Sequence, residues 1–180
     1  QWYPRLASYT DYEGWNNKQF MGRGEFTLEV GDFDVAITVP AEHIVAATGV
    51  LQNPGEVLTA AQQKRYENVN GEALSMIVTP DEARANESSR SGKTRTWHFH
   101  AENVRDFAFA SSRKFIWDAR RTRSGDQEVM AMSFYPNEAE PLWSQYSTAA
   151  IIHTIDIYSD YTFHYPYPAA ISVNGPIGGM

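Results

Sequence analysis

The sequence predicts a β-rich unit followed by the beginning of a mixed α/β or α+β unit. Aromatic residues make up 13% of the chain, and in the first two-thirds apolar and polar residues alternate with the period of a strand. A stripe of apolar residues at helical spacing begins only at Pro141. We place the boundary at an Arg-rich segment, which divides the chain into residues 1–118 and 119–180.

The predicted β-structure begins with a hairpin. Residues 25–30 and 33–39 each alternate, and Gly31-Asp32 between them has turn chemistry. Further strands are predicted at residues 44–47, 75–79, 95–100, 107–110, 128–135 and 170–173. We expect the strands at 95–100 and 107–110 to pair with each other.

Two helices and two loops complete the pattern. Thr59 is a plausible N-cap for a surface helix over residues 60–67, with Gln62 at the capping-box position. Residues 141–161 carry the stripe of an amphipathic helix packed on a core. We expect residues 81–94 and 120–123, which are polar and without periodicity, to form loops.

Composition excludes several classes of protein. The net charge of −7 disfavours non-specific binding to nucleic acid. The absence of cysteine excludes disulfides and thiol catalysis. No apolar run approaches the roughly 18–20 residues of a membrane-spanning helix.

The histidines suggest only half of a metal site. His98 and His100 lie two apart in a predicted strand, so both imidazoles project from one face, and two such histidines can supply half of the ligands of a zinc or copper site. No further ligand stands out, and structural histidines are the favoured interpretation. His43, His153 and His164 are isolated, and no His-Glu-x-x-His motif is present.

Several segments, in order along nearly the whole chain, resemble a known family. They are residues 1–7, 9–15, 22–26, 31–40 and 101–110, then Tyr165-Pro166-Tyr167-Pro168 and, ten residues later, Gly178-Gly179-Met180. Together they are similar to bacterial members of the aminopeptidase N-like zinc metallopeptidases, the gluzincin aminopeptidases.

The resemblance implies a fold and an activity. It implies a mainly β N-terminal domain of antiparallel sheets, saddle- or sandwich-like, over residues 1–118. Residues 119–180 then begin a thermolysin-like α/β catalytic domain. The intact parent would use zinc to hydrolyse N-terminal residues from peptides.

The resemblance also implies site residues. The backbone of Gly178, Gly179 and Met180 corresponds to the start of the family's Gly-x-Met-Glu-Asn substrate motif, and Gln1 matches a family Gln near the first substrate side chain. No catalytic or metal-ligating residue is expected in this chain. The chain therefore reads as a fragment that ends inside the motif, inactive alone, holding no zinc and contributing part of the substrate cleft.

The resemblance also suggests binding partners, but it leaves the cellular compartment open. Peptides are the expected substrates of the parent, and the missing catalytic domain is expected to pack on residues 119–180. The alternative function is a non-catalytic β-rich module that binds peptide or carbohydrate. The compartment stays open between an exported or periplasmic bacterial location and the cell interior.

Overall fold

The fold, seen in a computed structural model, is described for residues 2–19 and 27–176. The strands are β1 Tyr9–Thr10, β2 Gly14–Trp15, β3 Gly31–Pro40, β4 Ile44–Ala47, β5 Val50–Leu51, β6 Ser75–Val78, β7 Thr94–Val104, β8 Phe109–Ser112, β9 Ile116–Ser124, β10 Gln127–Tyr135 and β11 Ala169–Val173. The helices are α1 Pro54–Val57, α2 Ala60–Glu67, α3 Pro80–Ser88 and α4 Leu142–Tyr161, with a 3-10 turn at Asn137–Ala139.

The largest sheet has the strand order β11-β10-β9-β6. Its pairs are antiparallel except for β10 and β11, which run parallel because α4 carries the chain back between them. Among the described strands, β11 forms one edge of this sheet and β6 the other.

The remaining strands form smaller antiparallel sheets. A three-stranded sheet has the order β3-β7-β5, and β4 pairs with β8. The short strands β1 and β2 pair through Tyr9 and Trp15, whose rings meet edge to face 5.3 Å apart.

The main hydrophobic core joins the sheets. Ile77 and Val78 of β6, Trp97 of β7 and Trp117 of β9 belong to the same buried cluster, each at most 2% exposed. Helix α4 covers the other face of the large sheet, where Ile155 packs against Val129 and Ala170. The large sheet therefore has apolar contacts on both faces.

Both helix predictions are confirmed. Thr59 caps α2 in a capping box with Gln62, and α4 spans Leu142–Tyr161. The prediction of a loop over residues 81–94 is wrong for its first part, because α3 extends to Ser88. This helix has its own capping box, formed by Thr79 and Glu82.

Three strand predictions need correction. Residues 27–30 and Gly31-Asp32 form no hairpin, since β3 already begins at Gly31 and pairs with β7; residues 25 and 26 lie outside the described residues. Strand β7 pairs with β3 and strand β8 pairs with β4, so β7 and β8 do not pair with each other. Residues 120–123 lie in β9, not in a loop.

The described residues are thus mainly strands in antiparallel sheets with few helices. The predicted boundary between residues 118 and 119 falls within β9, and the division into two domains stays a prediction. None of the helices within residues 2–19 and 27–176 has the length and apolar character needed to cross a membrane.

Candidate functional site: the outer edge of the large sheet

The four residues predicted to contact substrate lie outside the described part of the chain. These are Gln1, Gly178, Gly179 and Met180. The structure does describe the two segments that lead to them. Residues 2–5 follow Gln1, and β11 with residues 174–176 precedes the Gly-Gly-Met segment.

Strand β11 carries the chain toward Gly178 along the edge of the large sheet. Its parallel register runs from Ala169 opposite Met130 to Val173 opposite Phe134. The amide of Asn174 continues the ladder by donating to the carbonyl oxygen of Phe134, 2.8 Å away. The chain is therefore held to the sheet until four residues before Gly178.

The N-terminal segment is anchored to the loop after β7. Trp2 donates from Nε1 to the carbonyl oxygen of Phe107 at 2.8 Å. Tyr3 and Arg5 both donate to the carboxylate of Asp106, at 2.8 and 2.5 Å. Burial alone would raise the pKa of Asp106, but these hydrogen bonds outweigh it and lower the pKa.

Two hollows border this loop. One, of about 800 Å³, is lined by residues 48–52 (except Leu51), 100–106, 127 and 165–171 (except Ala170). The other, of about 370 Å³, is lined by residues 3–6, 28–33 and 105. Arg105 of this loop lines both hollows.

The outer face of α4 is open and apolar. A shallow hollow of about 710 Å³ lies between α4, the segment after it and β11. Four large side chains on this surface are more than half exposed: Leu142 63%, Tyr146 61%, Tyr158 63% and Phe163 74%. We call this surface the α4 face. It is the side of the helix that the sheet leaves uncovered.

A buried polar network fastens the other side of α4 to the sheet. Asp118 of β9 is fully buried and accepts hydrogen bonds from Tyr135 Oη at 2.6 Å and from Thr148 Oγ1 at 2.5 Å. Ser133 Oγ lies 2.7 Å from Thr148 Oγ1 and 2.8 Å from Ser147 Oγ. The network links two strands to the helix.

The charge of Asp118 is costly in this position. Burial raises the pKa of the carboxyl to about 6, although the hydrogen bonds from Thr148 and Tyr135 oppose the rise; the negative charge of Glu140 adds to it. Burial, together with the Asp118 carboxylate, also raises the pKa of Tyr135. Tyr135 therefore stays protonated and acts as a hydrogen-bond donor.

Asp118 is not among the residues predicted from the sequence. Its one sequence signal is a single carboxylate in an otherwise apolar run, between Trp117 and Ala119. Such a residue is paired or hydrogen-bonded when it lies in a core, but the partners come from a strand and a helix that are distant in sequence.

The histidines make separate hydrogen bonds. His100 contacts Asp34 from Nδ1 at 2.7 Å and Glu102 from Nε2 at 3.1 Å, and these bonds raise its pKa. His98 is exposed. His43 contacts Ser111 at 2.7 Å, and burial lowers its pKa.

The described histidines and carboxylates do not form a metal centre. Within residues 2–19 and 27–176, no group of three or more His, Asp or Glu side chains is arranged to hold a metal ion. Both ring nitrogens of His100 are already within hydrogen-bond distance of carboxylates. The residues that the structure describes therefore do not fit a zinc site of three protein ligands.

Comparison with known proteins identifies the fold. No family model and no curated protein matches the sequence. A mutant two-domain M1 zinc metallopeptidase bound to L-tryptophan matches over 84% of this chain and 28% of its own length, with 16% identity and a TM-score of 0.51. An M1 zinc metallopeptidase from Deinococcus radiodurans gives the same values. The chain thus spans little more than a quarter of those proteins and shares their fold over most of its own length.

Proposed function

We propose that this chain is the N-terminal portion of a zinc aminopeptidase of the M1 type. The observation that carries the proposal is the shared fold with M1 zinc metallopeptidases over 84% of the chain. The ordered sequence resemblance to aminopeptidase N-like enzymes supports it independently, because that resemblance rests on motifs and not on the fold.

The substrate-binding part of this proposal concerns the segment after β11. A strand at the edge of a sheet offers unpaired main-chain groups, and an extended peptide is readily bound by such groups. Strand β11 lies at that edge and leads directly to Gly178, Gly179 and Met180. We assign the main chain of these three residues to peptide binding and Gln1 to the first substrate side chain.

The zinc-dependent chemistry belongs to a part of the parent outside this chain. Bound zinc would polarise the scissile carbonyl and activate water, but the described residues do not fit such a site. The role of the chain is to form a wall of the substrate cleft. Residues 119–180 begin the catalytic domain, and the α4 face is the surface on which the rest of that domain packs.

The proposal is tested by comparing the gene product that contains this sequence with the isolated 180-residue chain. The gene product should release p-nitroaniline from L-leucine and L-arginine p-nitroanilides, and N-acetylation of these substrates should abolish release. A zinc chelator should remove the activity and added zinc should restore it. The isolated chain should be inactive.

Two results would contradict the proposal. One is a gene product that shows no zinc-dependent release. The other is equal cleavage of the free and N-acetylated substrates. Micromolar binding of peptides or oligosaccharides by the isolated chain, without activity in the gene product, would favour a non-catalytic binding module instead.

A further inference from the structure

One further hollow lies between the large sheet and the smaller sheets. Its volume is about 530 Å³, which is within the range of small-molecule binding sites. The strands β9, β10 and β11 form its floor, and β4, β5 and β7 form the opposite wall. All the residues that line it lie between positions 45 and 171, in the part of the chain that the structure describes. We call it the intersheet hollow.

The floor of the intersheet hollow is apolar along one face of the large sheet. Side chains alternate between the faces of a strand, and Met130, Met132 and Phe134 of β10 share the face that borders the hollow. Ala169 and Ile171 of β11 pair with the two methionines and line the hollow too. Methionine side chains are unbranched and adaptable, so this floor can accommodate apolar groups of different shapes.

The opposite wall is apolar as well. It contains Val45 and Ala47 of β4, Leu51 of β5 and Phe99 of β7, each at most 8% exposed. An apolar group placed between floor and wall would therefore be removed from water on both sides, which is favourable.

Two hydrogen-bond donors lie on the border of this apolar space. Arg121 of β9 is directly opposite Met130 in the antiparallel register, so its side chain belongs to the same face as the floor. Its Nε donates to the carbonyl oxygen of Val69 at 2.9 Å, which restrains the guanidinium. Tyr66 of α2 packs against Trp117, with ring centroids 5.4 Å apart. Both Arg121 and Tyr66 line the hollow.

The hydrogen-bonding capacity of these two side chains is largely unused. Within the described part of the chain, the Arg121 guanidinium donates only from Nε, and the Tyr66 hydroxyl has no hydrogen bond. Arg121 Nη1 lies 3.7 Å from Glu128 Oε2, beyond hydrogen-bond distance. Burial raises the pKa of Tyr66 although the nearby charge of Arg121 lowers it, so the hydroxyl is a donor at neutral pH.

A carboxylate is the ligand group that this pair fits best. The planar fork of a guanidinium matches the two oxygens of a carboxylate, and the tyrosine hydroxyl can donate to the same group. Glu67 and Glu128 also line the hollow, but both are exposed and screened by water. They disfavour a phosphate monoester, which carries up to about two negative charges, more than they disfavour a single carboxylate.

The length of the floor sets the length of the apolar part of the ligand. Arg121 and Trp117 both line the hollow and lie four residues apart in β9. Four residues of a strand extend over about 13 Å, the length of an alkyl chain of about ten carbon atoms.

We propose that the intersheet hollow binds a medium-chain fatty acid, with its carboxylate at Arg121 and Tyr66 and its alkyl chain between the sheets. This inference goes beyond the proposed function, because it concerns neither zinc nor the hydrolysis of peptides.

Calorimetry of the gene product with sodium decanoate, below the concentration at which it forms micelles, tests the proposal. We expect a single saturable site. From hexanoate to decanoate, each two added methylene groups should tighten binding about tenfold, and the gain should end beyond about twelve carbon atoms. Methyl decanoate and decylamine, which lack the carboxylate, should bind at least about tenfold more weakly than decanoate.

The variants Arg121→Gln and Tyr66→Phe test the two donors. Each should weaken the binding of decanoate at least about tenfold, as expected for the loss of a hydrogen bond to a charged group. Arg120→Gln is the matched control, because Arg120 also donates from Nε to a backbone carbonyl oxygen at 2.9 Å, that of Gly71. Arg120 belongs to the opposite face of β9 and is not among the lining residues, so its replacement should leave the affinity unchanged.

NMR of the methionine methyl groups locates the alkyl chain. The signals of Met130 and Met132, assigned with the variants Met130→Leu and Met132→Leu, should shift when decanoate is added. Met76 packs in the separate cluster of Ala83, Ile116 and Tyr135, and its signal should stay in place.

Several results would overturn the inference. They are the absence of saturable binding, equal affinity for decanoate and decylamine, and equal effects of Arg121→Gln and Arg120→Gln. Shifts that spare both Met130 and Met132 would place the fatty acid elsewhere and overturn it as well. None of these measurements depends on peptidase activity, so the proposed function can fail while this inference holds, and the reverse.

Discussion

The variant Asp118→Asn is expected to become more stable relative to the unsubstituted chain as the pH rises from 4 to 7. The difference between their free energies of unfolding should grow by about 2 kcal/mol over that range. The carboxyl of Asp118 is buried against Tyr135 and Thr148, and its pKa is raised from 3.8 to about 6. Asparagine keeps the shape, one acceptor oxygen and, on Nδ2, a donor in place of the hydroxyl of the protonated carboxyl, and it never becomes charged. The variant therefore avoids the cost of burying a carboxylate at neutral pH.

The direction of this pH dependence follows from the raised pKa. Between pH 3.8 and about 6 the folded chain binds more protons at Asp118 than the unfolded chain does. The stability that the protonated form contributes is complete below pH 3.8 and is lost as the pH rises through about 6. Carboxylates with lowered pKa values, such as Glu82 and Asp106, act in the opposite direction, but they are common to both proteins and cancel in the difference.

Urea denaturation of both proteins at several pH values measures the effect. Asp126→Asn in the exposed turn between β9 and β10 is the control, and it should differ from the unsubstituted chain by less than about 0.5 kcal/mol at either pH. A pH-independent difference for Asp118→Asn would show that burial of Asp118 between Tyr135 and Thr148 does not raise its pKa.

The isolated 180-residue chain is expected to self-associate through the α4 face. Leu142, Tyr146, Tyr158 and Phe163 are each more than half exposed there, and a contiguous apolar surface of this kind favours association in water. Replacing all four by glutamate should place like charges on the surface and return the chain to its single-chain mass of 20.3 kDa.

Sedimentation velocity over a range of concentrations gives the measurement. The control is the pair Leu6→Glu and Tyr12→Glu, at positions 90% and 82% exposed in the N-terminal segment. These substitutions should leave the association unchanged. A monomeric unsubstituted chain at high concentration would contradict the view that the α4 face is a surface for packing.

Local signals account for the parts of the fold that were predicted from sequence. The α2 capping box is contained in four residues, and the apolar spacing of α4 is contained in the helix itself. Helix α3 was missed because it has no apolar stripe: of its residues only Ala83 is buried. Its capping box of Thr79 and Glu82 was the available signal.

Long-range pairing accounts for what sequence reasoning got wrong. The strand β3 pairs with β7 more than fifty residues away, and no local pattern reveals this partner. Residues 120–123 resemble a charged loop because their arginines are polar. In the structure Arg120 and Arg121 lie in β9 and donate from Nε to the carbonyl oxygens of Gly71 and Val69, each at 2.9 Å.

The candidate site also has one part that was predicted from the sequence and one part that was not. The Gly-Gly-Met segment was selected by resemblance, and the structure describes the strand that leads to it without describing the segment itself. The Asp118 network was not predicted, because its hydrogen bonds form only when Tyr135 of β10 and Thr148 of α4 pack against Asp118 in the folded chain.

The coding sequence that follows Met180 tests the central claim most directly. If this chain is the N-terminal portion of an M1-type aminopeptidase, the next codon specifies glutamate, which would bind the free amine of the substrate. A His-Glu-x-x-His motif should then follow within some tens of residues. A stop codon after Met180, or a continuation without the zinc-binding motif, would contradict the claim.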